Sequence, residues 1–206
     1  MSTERRLRLW ALVVAEARGA TVSVEHACAV AVAVAGVDCA AVAVSLRDTP
    51  REVLGASNVV ASHLEELALT LGEGPSVDAI SGAPALVADL AAPHCQARWP
   101  IFAKAAMAIG VHAVFALPLQ IGGIRLGVLD LYRLRAGKLD DEQLADALVM
   151  ADTVRAMLLD GLPEKRPDQD NQWTEQSGLR HPEVHQATGM ISVQLGSVSR
   201  IMNLAR

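Results

Sequence analysis

Apolar positions fall into blocks whose spacing switches between helical and strand-like periods along the first 160 residues. Leu9, Leu12, Val13 and Ala17 lie at helical spacing, so Glu4 to Arg18 is expected to form an amphipathic helix that Gly19 ends. Ser23 to Ala35 reads as a second helix stopped by Gly36. Its alternating Ala and Val would also suit a strand, and its length and flanking glycines are what favour helix. Asp38 to Leu46 is a buried strand by its Val and Ala content, turned by Arg47-Asp48-Thr49-Pro50 into an antiparallel partner at Arg51 to Ser57. Asn58 then caps a helix that runs through Leu71 and places Leu64, Leu67 and Leu71 on one face.

Gly72-Glu73-Gly74-Pro75 is a turn, followed by a short helix near Ser76 to Ile80 and a strand around Ala85 to Ala88. Trp99 to Ile109 is helical and stops at Gly110. Val111 to Gln120 and Ile124 to Arg133 are apolar strands flanking Gly122-Gly123, the strongest hairpin signal in the chain. Asp140 and Gln143 have the spacing of a reciprocal capping pair, and the helix they open carries Leu144, Leu148, Ala151 and Leu158 as its apolar stripe. These elements predict an α+β fold, an antiparallel sheet flanked by helices. Residues 161–172 then have linker composition. Beyond them Val184, Ala187, Ile191 and Leu195 share one helical face that Gly196 terminates.

Composition narrows the function. The chain has 206 residues, 51% of them hydrophobic and 20% charged, with a mean hydropathy of +0.29, which describes a globular protein. Aromatics are only 3%, so the core is built from Ala, Val and Leu, and stacking platforms for single-stranded nucleic acid are scarce. A net charge of −5 argues against a general affinity for phosphate backbones. The apolar run Ala27 to Val37 is too short to span a membrane. Arg5, Arg6 and Arg8 before Leu9 to Ala15 have some features of an export signal, but a surface helix accounts for the same residues, and a cytoplasmic protein is expected.

Candidate chemistry is sparse. Cys28, Cys39 and Cys95 are an odd number without Cys-x-x-Cys spacing, which fits reduced thiols. Cys28 and Cys39 read as small core residues, whereas His94-Cys95, placed in an exposed loop, is the one adjacent imidazole and thiol. His181 and His185 are a helical pair without further ligands, so no metal is expected. Asp140-Asp141-Glu142 reads as favourable charge at a helix N-terminus. Asp130 and Tyr132 interrupt an apolar strand, and either a ligand cavity or the solvent face would account for them. No nucleophile elbow, zinc-protease motif, phosphate loop or dinucleotide fingerprint occurs, so neither enzymatic activity nor a cofactor is expected.

Residues 20–160 resemble a GAF domain, notably in LTLGEGPSVDAI (Leu69 to Ile80), RWPIFAKAAMAIGVHAVFALPLQIGGIRLGVLDLYR (Arg98 to Arg133) and LDDEQLADAL (Leu139 to Leu148). EVHQATGMISVQLG (Glu183 to Gly196) resembles the first helix of an ANTAR domain. The pair is similar to actinobacterial regulators in which a GAF sensor controls a three-helix RNA-binding module that prevents transcription termination. The resemblance implies four segments: an N-terminal helix at 1–19, a GAF-like sensory domain at 20–160, a linker at 161–172 and an ANTAR-like helix at 173–206. Ala187, Gly189 and Met190 match the RNA-binding module's motif, with Thr188 where many members carry Lys. Ten residues follow Gly196 where the family continues with two more helices, so a truncated module with impaired RNA binding is expected. In agreement, residues 161–206 hold five Lys and Arg against five Asp and Glu. A homodimer is expected through the apolar faces of the Trp10 and Leu144 to Leu158 helices, along with RNA hairpins as a weak or absent partner and a small-molecule ligand. The alternatives are a ligand-binding or thiol-dependent enzyme on the same fold using Cys95, and a decayed paralogue acting only by heterodimerisation.

Overall fold

The computed structural model describes residues 3–45, 51–80 and 82–160. In chain order the elements are α1 (Thr3–Glu16), α2 (Val24–Ala35), β1 (Cys39–Val44), β2 (Glu52–Ala56), α3 (Val59–Leu71), α4 (Pro75–Ile80) and β3 (Ala85–Val87). They continue with α5 (Pro93–Arg98), α6 (Phe102–Ala108), β4 (Ala113–Ile121), β5 (Ile124–Arg133) and α7 (Asp141–Asp160). The chain divides into a unit ending at Arg155 and a second beginning at Ala156, whose described residues, 156–160, are helical. The expected fold class holds: the five strands make one antiparallel sheet in the order β2-β1-β5-β4-β3.

Local chemistry explains the helix boundaries. The ambiguous Ser23 to Ala35 segment is helical because Val24, Ala27, Cys28, Ala31 and Ala35 are buried at three- and four-residue spacing. Asn58 accepts a hydrogen bond from the backbone N–H of Ala61 at 3.0 Å. The reciprocal capping pair forms as read: the Gln143 N–H donates to Asp140 Oδ1 at 2.8 Å, and the Asp140 N–H donates to Gln143 Oε1 at 3.0 Å. Glu73, in the turn after α3, caps α6 from a distance by accepting from the backbone N–H groups of Ile101 and Phe102 at 2.7 and 2.6 Å.

Two expectations about the helices change. The buried side of α7 is formed by Asp146, Ala147, Val149, Met150, Ala151, Thr153 and Val154, while Leu148 is 39% exposed and Leu144 is half-buried. Burial of Ala147, Val149, Met150 and Val154 sets this orientation, and it leaves Asp146 where Arg5 and Arg8 of α1 both pair with it, at 3.1 and 2.9 Å, while Arg5 also pairs with Glu142. Residues 93–98, expected as an exposed loop, form α5. Pro93 starts the helix and Trp99 ends it, with the Trp99 indole N–H donating to Asp78 on α4 at 2.9 Å.

Strand alternation separates two sheet faces. Cys39, Ala41, Ala43, Val114, Ala116, Val128, Asp130 and Tyr132 share one face, and those with apolar side chains cluster with residues of α3, α4, α5 and α6. Ala40, Val42, Phe115, Leu117, Leu129, Leu131 and Arg133 share the other. There Arg133 donates to the carbonyls of Ala35 and Gly36 at the end of α2, at 3.2 and 2.9 Å, and to Gln143 on α7 at 3.3 Å. β5 passes β1 so closely at Gly127 that an added Cβ would lie 2.1 Å from the Ala43 carbonyl oxygen. Gly127→Ala is therefore expected to cost about 3 kcal/mol of stability. At the hairpin tip a Cβ on Gly123 meets nothing within 4 Å. Gly123→Ala is expected to stay within about 0.5 kcal/mol of the parent, and denaturant melts of the two variants check both.

Candidate functional site

The first sheet face carries a polar cluster in an otherwise apolar core. Four side chains build it: Arg51 immediately before β2, Glu65 from the second turn of α3, and Asp130 and Tyr132 two residues apart on β5. Glu65 occupies the buried stripe Ala61, Leu64, Glu65 and Ala68 of α3, which points the carboxyl at the sheet. Arg51 Nη2 lies 2.6 Å from Glu65 Oε2 and 3.8 Å from Asp130 Oδ2. The Tyr132 hydroxyl donates to Glu65 Oε1. The side chains of Glu65 and Asp130 are completely buried, and that of Arg51 is 9% exposed.

Hydrogen bonding within the cluster is uneven. Glu65 takes the short contact of Arg51 and the proton of Tyr132, so it is satisfied on both oxygens. Among the described residues no donor reaches either Asp130 oxygen, and Arg51 Nε and Ser76 Oγ are likewise buried and unpartnered. Burial, followed by the neighbouring charge of Glu65 and a hydrogen bond that a protonated Asp130 can donate to that carboxylate, drives the Asp130 carboxyl well above its ordinary range, against a smaller opposing pull from Arg51. Burial and the same two carboxyls also raise the Tyr132 phenol well above its usual value, fixing it as a donor. The surroundings are small: Asp130 sits between Ala41 and Ala116 in the sheet, and Ala43, Ala79 and Val128 pack nearby.

Asp130 and Tyr132 thus face the helical layer and not solvent, and both are completely buried. Arg51 and Glu65 are the residues that strand and helix patterns alone overlook. The signal was present for Glu65, a charged residue inside an apolar helical stripe. Arg51 precedes β2 outside any helical or strand period, where an arginine carries no pattern.

The other candidates fare differently. Cys95 is 2% exposed, and burial raises its thiol, followed by the Asp89 charge, so the exposed-loop thiol reading is overturned. Burial pushes Cys28 and Cys39 up to about 12, as suits core residues. Among the described residues no group of three or more His, Cys, Asp or Glu could hold a metal, and no helix is long and apolar enough to cross a membrane. Glu142 of the acidic run is paired with Arg5. His181, His185, Ala187, Gly189 and Met190 lie outside the described residues. A cleft of about 270 Å³ is lined by Leu86, Phe115, Lys138, Leu139 and Leu144; Phe115 belongs to the sheet face opposite the cluster.

The architecture defines a class. The five-stranded antiparallel sheet with helices on both sides is the fold of GAF domains. It is shared with the GAF domain of a phosphoenolpyruvate-protein phosphotransferase from Acinetobacter (TM-score 0.56, 11% identity, 82% of this chain and 100% of that one). It is also shared with the GAF domain of such an enzyme from Coxiella burnetii (TM-score 0.53, 15% identity, 76% of this chain and 94% of that one). A domain described as belonging to a two-component sensor histidine kinase from Sinorhizobium meliloti 1021 has the same fold (TM-score 0.53, 17% identity, 66% of this chain and 87% of that one). No protein-family model and no curated protein matches the chain.

Asp130 gives the site a pH signature. Its protonated form is favoured in the fold, so its contribution is fully present below the ordinary carboxyl value of 3.8 and is lost as pH rises towards the higher folded value. Asp130→Asn, uncharged throughout, is expected to gain melting temperature over the parent as pH goes from about 5 to about 8, read by thermal melts at each pH. A gap that stays flat or narrows contradicts a buried, protonated Asp130.

Proposed function

We propose that the chain is the signal-sensing and dimerising part of a cytoplasmic transcription antitermination regulator. The GAF-fold unit would bind a small ligand, and residues 173–206 would supply an RNA-binding module of low affinity. The observation that carries the sensory reading is the cluster of Arg51, Glu65, Asp130 and Tyr132. A buried ion pair adds little to stability compared with an apolar replacement, and an unsatisfied carboxyl beside it costs stability outright. Polar groups held at such cost beneath a helical layer suit recognition better than support. The ANTAR-like motif Ala187, Gly189 and Met190, with the sensor-kinase domain among the structures of the same fold, supports a regulatory setting.

The low RNA affinity follows from charge, since residues 161–206 are balanced at five basic against five acidic side chains. In a shift assay on tandem-hairpin RNA over a salt series, the full chain is expected to bind at about micromolar affinity or weaker near physiological salt. Tight, sequence-specific binding would contradict that part of the reading.

Dimerisation has its surface on α1, where Leu7 is 57% exposed, Val14 is 46% exposed and Trp10 is half-buried at intervening helical spacing. The opposite edge of α1, with Leu9 and Val13, is buried. Light scattering is expected to give twice the 21.7 kDa chain mass. The double substitution Leu7→Glu and Val14→Glu is expected to shift the species to the monomer, because it puts like charges across the two-fold axis.

A further inference from the structure

The cluster specifies the kind of ligand it can hold. Arg51 and Glu65 cancel one another in charge at 2.6 Å, and Tyr132 spends its proton on Glu65. Asp130 is left over: wholly buried, 3.8 Å from the nearest cationic nitrogen, with no donor on either oxygen among the described residues. In its ionised form a carboxyl in that position lacks two things, N–H donors and a compensating positive charge, and a ligand that brings both favours that form. A neutral ligand supplies the first alone, and an anion adds to the repulsion already exerted by Glu65.

The space around Asp130 limits size. Its two partners across the sheet are alanines, Ala41 and Ala116, and Ala43, Ala79 and Val128 form the adjoining patch. The roof is α4, a six-residue helix that packs across β4 and β5 and carries the buried, unpartnered Ser76 hydroxyl. Gly74 and Gly82 bracket this roof with φ of +134° and +140°, values that residues with a Cβ rarely take.

We propose that Asp130 is the recognition carboxyl for a small organic cation with N–H donors, a primary ammonium or an amidinium, held on the alanine floor beneath α4. The assignment rests on the sensory reading of the same face. The cation donates to Asp130 and leaves the Arg51–Glu65 pair in place, and the Ser76 hydroxyl offers a second polar contact on the roof.

The test uses the full-length chain labelled with ¹⁵N and three probes of matched size: n-propylammonium chloride, sodium propionate and propan-1-ol. Propylammonium is expected to give saturable shifts at the amides of Ala41, Ala116 and Asp130, with propionate giving none there. Asp130→Asn is expected to weaken this binding about tenfold or more, as loss of a charge-assisted contact should. Propylammonium that leaves those amides unmoved, or moves them equally in Asp130→Asn, overturns the proposal. If the variant does not fold, the preference of the parent protein for propylammonium over propionate decides the matter alone. Saturation at the same amides by propanol or propionate but not by propylammonium removes the cationic class and leaves the sensory reading standing. If none of the three perturbs that face, both readings lose their site.

Discussion

Desolvation of one carboxyl governs the interior of this fold. Moving an ionised group from water into a protein core costs several kcal/mol unless an opposite charge and hydrogen bonds replace the lost hydration. Glu65 receives both, from Arg51 and Tyr132. Asp130, on the same strand as Tyr132, receives neither fully, and its titration is pushed well above the usual carboxyl range. The first sheet face is therefore arranged around a fixed ion pair and a group whose charge depends on what approaches it. The buried cluster around them on that face, from Cys39 to Phe102, is otherwise apolar apart from Ser76 of α4.

The low aromatic content makes this arrangement possible. With alanine or cysteine at 39, 40, 41 and 43, β1 presents little side-chain volume, and the helical layer can approach the strands closely. A core of larger residues would hold α3 farther from β5, beyond the reach of a glutamate towards a tyrosine on the sheet. Gly127 shows the same constraint in the backbone, where β1 and β5 leave no room for one methyl group. Phe102 closes the far side against Gly74, whose Cβ would lie 3.2 Å from the ring. Small residues in this chain hold the layers at the spacing the polar cluster requires.

Much of the architecture was legible in the sequence because it rests on local signals. The Asn58 cap, the Asp140 and Gln143 pair and the Gly122-Gly123 hairpin each act within a few residues, and each forms as its pattern implies. What escaped depends on distant partners. The burial of Asp146 on α7 goes with Arg8 of α1, 138 residues away, which no periodicity in α7 encodes. Cys95 reads as a loop thiol until Pro93 and Trp99 are seen to frame a short helix. The cluster itself joins residues 14 and 67 apart along the chain, and only Glu65 leaves a local trace. Asp130 was visible as a polar interruption, but its burial depends on α4 packing across the strand.

The sheet separates two kinds of chemistry that β5 nevertheless carries together. Asp130 and Tyr132 face the helical layer of α3 and α4, while Leu131 and Arg133 face the opposite side. Arg133 is itself mostly buried, and its guanidinium is held by the carbonyls that end α2 and by Gln143 at the start of α7, so it fastens the strand to both helices. Those helices carry the α1 contacts in turn, through the pairing of Arg5 and Arg8 with Asp146. A backbone adjustment that lets Asp130 meet a charged partner acts on a strand whose third residue onward grips α2 and α7. Alternation along a strand is a rigid relation: side chains on the two faces share one backbone and cannot move independently. The covalent route from Asp130 to Arg133, and through it to the helices beneath the exposed face of α1, is therefore three residues of β5.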